Sequence, residues 1–368
     1  MGVRVCLVGL IAGGHSGVPR YAVKLVEGLD AVAADYPDVS LKLLTTPKGE
    51  RETSTRAIET VTTRAGGRFA NSGPGRLLLE HLRARSADAD LLHFFDTTGP
   101  VLAPRSPFVA TVHDASAYRG FRRSKNFYKH RLYPWALQHA AAVIAVSQSA
   151  KDDITGVVPV DTAKIHVVHS GPGLSPRQDG APAHRERDRT LLYVGNIGTN
   201  KNLPILIRAF GELTPGLGAR LVIVGRPGDG FGDVTATIAD SPARDRIELQ
   251  TAASDEDIER LYAGSAALFL PSTYEGFGFT PLEAMARGCP VVESDIPALR
   301  EVSGDGALLV RPDDQAGWRD AMQRVLTDSD LAATLQARGS ETVARYSWEA
   351  TARGVLEVFR STAARLRP

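Results

Sequence analysis

Short apolar runs recur along this chain, and most are followed by a stretch with helical spacing. Val3 to Val8 is the first and is nearly unbroken; flanked by a helical pattern, such a run reads as a strand buried on both faces. A glycine-rich loop, Gly9 to Gly17, comes next, then a helical pattern from Val18 to Ala34. Pro19 falls in its first turn, where a missing N–H costs nothing. Further strands are predicted at Val39 to Leu44, Leu91 to Phe95, Phe108 to Val112, Ala142 to Val146 and Ile165 to Val168, with helices over Gly75 to Ser86 and Ser124 to Ala140. Residues 49 to 70 are polar and basic and read as irregular and partly mobile.

Between Gly171 and Arg189 the pattern lapses into Pro, Gly, Asp, His and Arg, the composition of a linker between domains. The alternation then restarts. Strands are predicted at Thr190 to Val194, Arg220 to Val224, Ile247 to Leu249, Ala267 to Leu270, Pro290 to Val292 and Ala307 to Val310, with helices between them. The chain ends in helices near Ala316 to Asp328, Asp330 to Arg345 and Ser347 to Arg365. Such alternation predicts an α/β protein with two doubly wound, Rossmann-like domains, residues 1–170 and 190–345, joined by the linker 171–189. Open α/β sheets bind ligands beyond the carboxyl ends of their strands. The residues just after each strand are therefore the informative ones.

Composition narrows the class. A chain of 368 residues has room for two apolar cores. Hydrophobic residues at 43% and charged residues at 23% place it among globular proteins. A formal net charge of +1 argues against a dedicated nucleic-acid binder. Cys6 and Cys289 lie in apolar runs without metal-ligand partners nearby, and read as buried, reduced thiols. Met1 to Val8 leads straight into a strand, and no run approaches the ~20 apolar residues that span a bilayer. A cytoplasmic protein is expected, at most peripheral at the inner face of a membrane.

Two segments carry candidate chemistry. Val194-Gly195-Asn196-Ile197-Gly198-Thr199-Asn200-Lys201-Asn202 follows a strand and precedes a helix, with Asn202 as the expected N-cap. Lys201 is then either a cation for a diphosphate or a solvated surface lysine; no Gly-Lys-Ser/Thr phosphate loop is present. The second segment runs from Ser272 to Gly288. Glu275 follows a strand, and Glu283 comes eight positions later, placed in the first turn of a helix starting near Thr280-Pro281. As anions the two carboxylates accept hydrogen bonds from hydroxyls, which suits a sugar or ribose; equally they are solvated glutamates favourable to the helix dipole.

The wording Tyr274-Glu275-Gly276-Phe277-Gly278, Pro281-Leu282-Glu283-Ala284-Met285-Ala286 and Pro290-Val291-Val292 resembles the Glu-x7-Glu signature of the retaining glycosyltransferases of family 4. Val194-Gly195 with Lys201-Asn202, Val143 to Ser147, Lys164 to Gly171 and Thr111-Val112-His113-Asp114 are similar to that family too, so the resemblance spans most of the chain. It implies the GT-B fold, two Rossmann-like domains facing a central cleft. It also implies that residues 346–368 cross back to the first domain.

By the same resemblance Glu283 holds the donor ribose, Glu275 the hydroxyls of the transferred sugar, and Lys201 the leaving diphosphate. The amides of Gly276, Phe277, Gly278 and Phe279 contact sugar and phosphate. His113 faces the sugar near the reacting centre. The loop containing Gly14, His15, Ser16 and Gly17 approaches the diphosphate or the acceptor from the opposite wall. Asp114, Tyr118 and Arg119 fall on the acceptor side. Relatives often carry an arginine where this chain has Asn196, a loss Arg226 compensates. Thr280 stands where Pro or Leu is common and reads as a helix cap.

The expected activity is a metal-independent, retaining hexosyl transfer from a nucleoside diphosphate sugar, by attack on one face. The acceptor is a hydroxyl of a glycan, a lipid-linked sugar or a secondary metabolite, as in polysaccharide or antibiotic biosynthesis. GDP-mannose is slightly favoured over a UDP-sugar as donor. No cofactor is expected. Asp88-Ala89-Asp90 has the form of a metal-binding Asp-x-Asp motif but precedes its strand, so it reads as a solvated loop. The basic, aromatic segment 118–139 lines an acceptor groove, lies on a membrane surface, or packs its rings inward. The sequence leaves two competing readings open, a sugar-nucleotide epimerase and a non-catalytic nucleotide-sugar-binding protein.

Overall fold

The apolar runs of the first half form a parallel sheet. The computed structural model describes residues 2–9, 17–53, 55–62, 82–84, 87–97, 104–116, 118, 127–174 and 187–367, with the side chains of 127–132 excepted. Two compact units are present, Met1–Gly173 with Tyr346–Pro368, and Leu174–Arg345.

In the first unit the strands are β1 (Val3–Val8), β2 (Val39–Thr45), β3 (Glu59–Thr62), β4 (Leu91–Phe94), β5 (Phe108–Val112), β6 (Ala142–Ala145) and β7 (Ile165–Val167). They pair in the order β3-β2-β1-β4-β5-β6-β7, all parallel. Every residue of β4, β5 and β6 is buried, as strands covered on both faces require. The described helices are α1 (Gly17–Val32), α2 (Pro47–Glu52), α3 (Phe127–His139) and α4 (Gln148–Val157). Within 49–70 the sequence predicted no regular element, yet Pro47–Glu52 is helical and Glu59–Thr62 is a strand. β3 sits at the sheet edge, where one side of the strand stays open, so it needs no apolar run to announce it. Thr46 caps α2 by accepting from the Gly49 N–H. The helix predicted at Gly75 to Ser86 lies mostly outside the described residues.

The second unit repeats the design. Its elements are β8 (Thr190–Val194), α5 (Leu203–Gly211), β9 (Arg220–Val224), α6 (Phe231–Ala239), β10 (Ile247–Gln250), α7 (Asp255–Gly264), β11 (Ala267–Leu270), α8 (Phe279–Met285), β12 (Val291–Ser294), α9 (Pro297–Ser303), β13 (Ala307–Val310), α10 (Gln315–Thr327) and α11 (Ser329–Val343). The parallel strands run in the order β10-β9-β8-β11-β12-β13. Phe210, Phe269, Leu299 and Trp318 anchor an apolar core of fully buried side chains. Of the expected linker, residues 175–186 lie outside the described set. Arg187 belongs to the second unit, where its guanidinium donates to the carbonyls of Tyr262, Ser265, Arg287 and Gly288.

The last helix, α12 (Trp348–Leu366), falls in the first unit and packs on α1. Its N-cap Ser347 accepts from the Ala350 N–H. The two helices approach closely because Gly28 carries no side chain: a Cβ there would lie 2.5 Å from the Trp348 carbonyl oxygen.

Candidate functional site

In the second sheet β9 and β10 lie on one side of β8, while β11, β12 and β13 lie on the other. The loops leaving β8 and β11 therefore flank the point where strand order reverses, the usual ligand position of an open α/β sheet. Both loops carry residues that the sequence singled out.

The two loops are cross-linked. The Thr273 N–H donates to the Asn200 carbonyl at 2.8 Å, and Asn200 Nδ2 donates to the Tyr274 carbonyl at 3.1 Å. Beside these bonds, Lys201 Nζ donates to Glu275 Oε1 at 2.5 Å, and Ser272 Oγ donates to the same oxygen at 2.7 Å. The lysine and glutamate side chains are only 17% and 15% exposed, so the pair is largely withdrawn from water yet still reachable. A charge pair in that position is attracted more strongly than at an open surface.

Tyr193 fixes the start of the first loop by donating to the Asn196 carbonyl at 2.8 Å. Burial, and then the charge of Glu275, push the phenol well above its ordinary pKa, so it stays a donor. Asn196 and Arg226 are exposed on adjoining loops, tied together by the Ile197 N–H donating to the Arg226 carbonyl at 2.9 Å. That approach depends on Gly225, where a Cβ would fall 1.7 Å from the Gly195 carbonyl oxygen.

Two helix starts differ from expectation. α8 begins at Phe279, not at Thr280-Pro281, because Gly278 turns the chain at φ +114, a left-handed conformation that favours glycine. Thr280 thus lies inside the first turn, and no side chain caps this helix. Asn202 occupies the N-cap position of α5 at φ 53, but its amide does not cap; Nδ2 donates instead to the Pro312 carbonyl at 2.8 Å.

The earlier start also moves Glu283 into the second turn of α8. There it is buried, at 4% exposure, and Tyr262 Oη donates to its Oε2 at 3.1 Å. Phe277 is buried with its ring set edge-on to Phe279 at 5.5 Å. Gly276 is partly buried between Glu275 and Phe277.

In the first unit His113 follows β5. His113 Nε2 lies 2.8 Å from the Phe95 carbonyl oxygen. A carbonyl only accepts, so Nε2 carries the hydrogen and a neutral ring presents the Nδ1 lone pair. Burial lowers the His113 pKa, which favours that neutral form. The Tyr21 ring stands edge-on to it at 4.7 Å. His93 packs nearby, fully buried and 3.0 Å from Thr111 Oγ1; burial, the largest cause, pushes its pKa down to about 3. Asp114 is turned to Ser116, accepting from its N–H at 2.8 Å and its hydroxyl at 2.5 Å. Tyr118 is partly buried, with Tyr133 edge-on at 6.5 Å, and its phenol pKa is raised by burial. Gly17 opens α1, whereas Gly14, His15, Ser16 and Arg119, with the rest of 119–126, lie outside the described residues.

Sequence reasoning gave no role to Ser272, although it heads the Ser272 to Gly288 segment, and missed Tyr262, Tyr21 and His93, none of which stands in a local motif. Asp88 and Asp90 are more engaged than a solvated loop requires: Arg4 bridges both, at 2.7 and 2.9 Å. Among the described residues no group of three or more His, Cys, Asp or Glu side chains is arranged to hold a metal ion. No described helix is long and apolar enough to cross a membrane.

Residues 175–342 match the family described as Glycosyl transferases group 1, and residues 15–172 match Glycosyltransferase Family 4. The chain belongs to this glycosyltransferase family. Its two Rossmann-like parallel sheets are those of the family's GT-B fold. A curated relative, the O-antigen chain mannosyltransferase RfbU of Salmonella typhimurium, is 30% identical over 243 residues, which cover 65% of this chain and 65% of that protein. The chain thus matches less than two thirds of that relative's length. Among solved structures, sucrose-phosphate synthase of Thermosynechococcus elongatus is similar in fold, with a TM-score of 0.76 at 20% identity over 99% of this chain and 100% of that one. Anabaena HepE, solved with UDP and glucose, gives a TM-score of 0.73 at 17% identity over 98% of this chain and 100% of that one.

Proposed function

We propose that this protein transfers a hexose from a nucleoside diphosphate sugar to an acceptor hydroxyl, with retention and without a metal. The observation that carries the reading is the largely buried Lys201–Glu275 pair at the strand-order reversal of the second sheet. Lys201, with Arg226 beside Asn196, supplies positive charge to the diphosphate. Glu275 exchanges part of its pairing with Lys201 for the hydroxyls of the donor sugar. The amides of Gly276, Phe277, Gly278 and Phe279 contact sugar and phosphate, with Thr280 in the helical turn behind them. Glu283, oriented by Tyr262, accepts from the ribose. His113, neutral and with its Nδ1 lone pair available, serves the reacting sugar. Gly17 approaches the donor diphosphate, and Gly14, His15, Ser16, Asp114, Tyr118 and Arg119 serve the acceptor side.

In the transfer the acceptor oxygen bonds to the anomeric carbon as the bond to the diphosphate breaks on the same face. The leaving phosphate takes the acceptor proton. Catalysis then comes from positioning and from stabilising the charge that develops on phosphate. A mannosyl donor carried by GDP is favoured by the mannosyltransferase relative and by the wording around Asn200-Lys201-Asn202; the UDP-bound Anabaena structure supports a UDP-sugar as the second choice. Release of nucleoside diphosphate from a panel of GDP-, UDP- and dTDP-sugars, after EDTA treatment, tests the reading. One donor should turn over, and the product should keep the donor's anomeric configuration. Inversion, or activity that returns only with Mg²⁺ or Mn²⁺, refutes the mechanism. Binding without turnover for every donor and acceptor favours a non-catalytic sugar-nucleotide receptor.

A further inference from the structure

Glu293 stands in β12 opposite Leu270 of β11 and Leu309 of β13, and it is fully buried. Neither of its carboxyl oxygens has a hydrogen-bond partner, and the buried hydroxyls of Ser294 and Ser303 are equally unpaired. β11 ends at Leu270, and the chain goes directly on to Ser272 and Glu275. A buried carboxylate with no donor is far less favourable than the neutral acid. Burial, the largest cause, raises the Glu293 pKa to about 8; the nearby Ser303 hydroxyl lowers it, and the charge of Glu275, a smaller effect than either, raises it.

The charged groups on the neighbouring elements are already engaged. Lys201 is paired with Glu275, and Glu283 of α8 accepts from Tyr262. Arg300 of α9 is held by Asp295, and β13 presents Leu308 and Leu309. Arg345, beyond α11, donates to Thr342. The charge of Glu275 reaches Glu293.

Resting on the donor reading above, we propose that Glu293 is a positioning residue of the donor site: as a neutral acid behind Glu275 it keeps the Lys201–Glu275 pair free of net charge, and its ionisation drives off the nucleoside diphosphate. One lysine facing one carboxylate can be shared with a phosphate. One lysine facing two carboxylates cannot, and the second anion also repels the diphosphate directly.

Calorimetric titration of UDP and GDP, from about pH 6 to about pH 9, into the wild type and Glu293→Gln tests this. In the wild type Kd should rise by about tenfold per pH unit above the Glu293 midpoint. Glutamine keeps the neutral shape, so the variant should hold its affinity over the same range. An equal alkaline loss in both proteins assigns the effect to another group, the nucleotide base included, and overturns the proposal. A wild type whose affinity is level to about pH 9 overturns it too. If neither nucleotide binds the folded wild type at any pH, the donor reading fails and this proposal with it. Carbon-13 titration of the glutamate carboxyls in the wild type needs no variant to fold. One glutamate should titrate near pH 8, and titration of them all in the ordinary range refutes the neutral acid.

Discussion

Lys201 and Glu275 lie 74 positions apart and share one hydrogen bond, yet they are assigned to different parts of the donor. That assignment separates two substitutions. Lys201→Ala should weaken binding of the free nucleoside diphosphate by about 1.5–3 kcal/mol, the range for hydrogen bonds to charged groups. Glu275→Gln should leave free nucleotide binding nearly unchanged and remove the extra affinity of the intact sugar nucleotide. Calorimetry with both ligands checks this, and equal losses in the glutamine variant would take Glu275 off the sugar. Glu293 makes a second, independent claim on stability. Its folded pKa is raised from 4.5 to about 8, so the native state holds a proton that the unfolded chain releases. Stability is therefore lost as pH rises through that window and levels off above it, and a tenfold difference in proton affinity between the folded and unfolded chain is worth about 1.4 kcal/mol. Glu293→Gln should melt above the wild type at alkaline pH, and the gap should close toward pH 4.5. The Glu275–Glu283 spacing was legible because it is local. The pairing with Lys201, the support of Glu283 by Tyr262, and the exposure of Glu293 to the charge of Glu275 were not, because only the packing of the second sheet brings those residues together.

At the scale of elements, the strands were the clearest signal. Phe108–Val112, Thr190–Val194 and Ala267–Leu270 have the ends read from sequence, since full burial on two faces leaves an apolar run with sharp polar borders; Arg220–Val224 and Ala307–Val310 match as well, though neither is buried throughout. β3 escaped because an edge strand can be half polar, and the start of α8 was misplaced because the left-handed turn at Gly278 precedes the expected cap. Glycine sets a second local geometry at the site. The loops after β8 and β9 meet where Gly225 faces the Gly195 carbonyl, and a methyl group placed 1.7 Å from that oxygen cannot be accommodated. Gly225→Ala must push the two loops apart and break the Ile197 to Arg226 backbone bond. The expected result is destabilisation of about 1–3 kcal/mol in thermal melts, with weakened nucleoside diphosphate binding because Asn196 and Arg226 separate. Gly232→Ala, on α6 with open space where its Cβ would stand, is the control and should change neither. Equal behaviour of the two variants would show that the loop contact does not matter.

At the scale of the whole molecule, the first unit is built from two stretches of chain, with the entire second unit inserted between Gly173 and Tyr346. Its sheet of seven described strands is thus completed by a helix added after everything else. The apolar face of α12 decides what that addition is worth. Val355, Leu356 and Phe359 are fully buried, and the Trp348 indole N–H donates to the Pro172 carbonyl at 2.7 Å. Phe359 reaches His93 at 5.2 Å, and Trp348 stands edge-on to Tyr21, which in turn stands edge-on to His113. The Arg353–Asp35 and Arg360–Asp38 pairs are about half exposed and contribute little by comparison. Each large apolar side chain is worth about 1.5–3 kcal/mol when buried, so the loss of all of them approaches the ~5–15 kcal/mol that holds a typical domain together. A chain ending at Arg345 should therefore lose the melting transition of the first unit, read by scanning calorimetry, while that of Leu174–Arg345 survives. Trp348→Ala is the milder case. It should lower the first transition, loosen the Tyr21–His113 stack, and reduce turnover while leaving nucleoside diphosphate affinity unchanged, because every nucleotide ligand proposed in the second unit is untouched. A truncated chain that kept both transitions would mean that α12 merely covers the first unit and does not complete it.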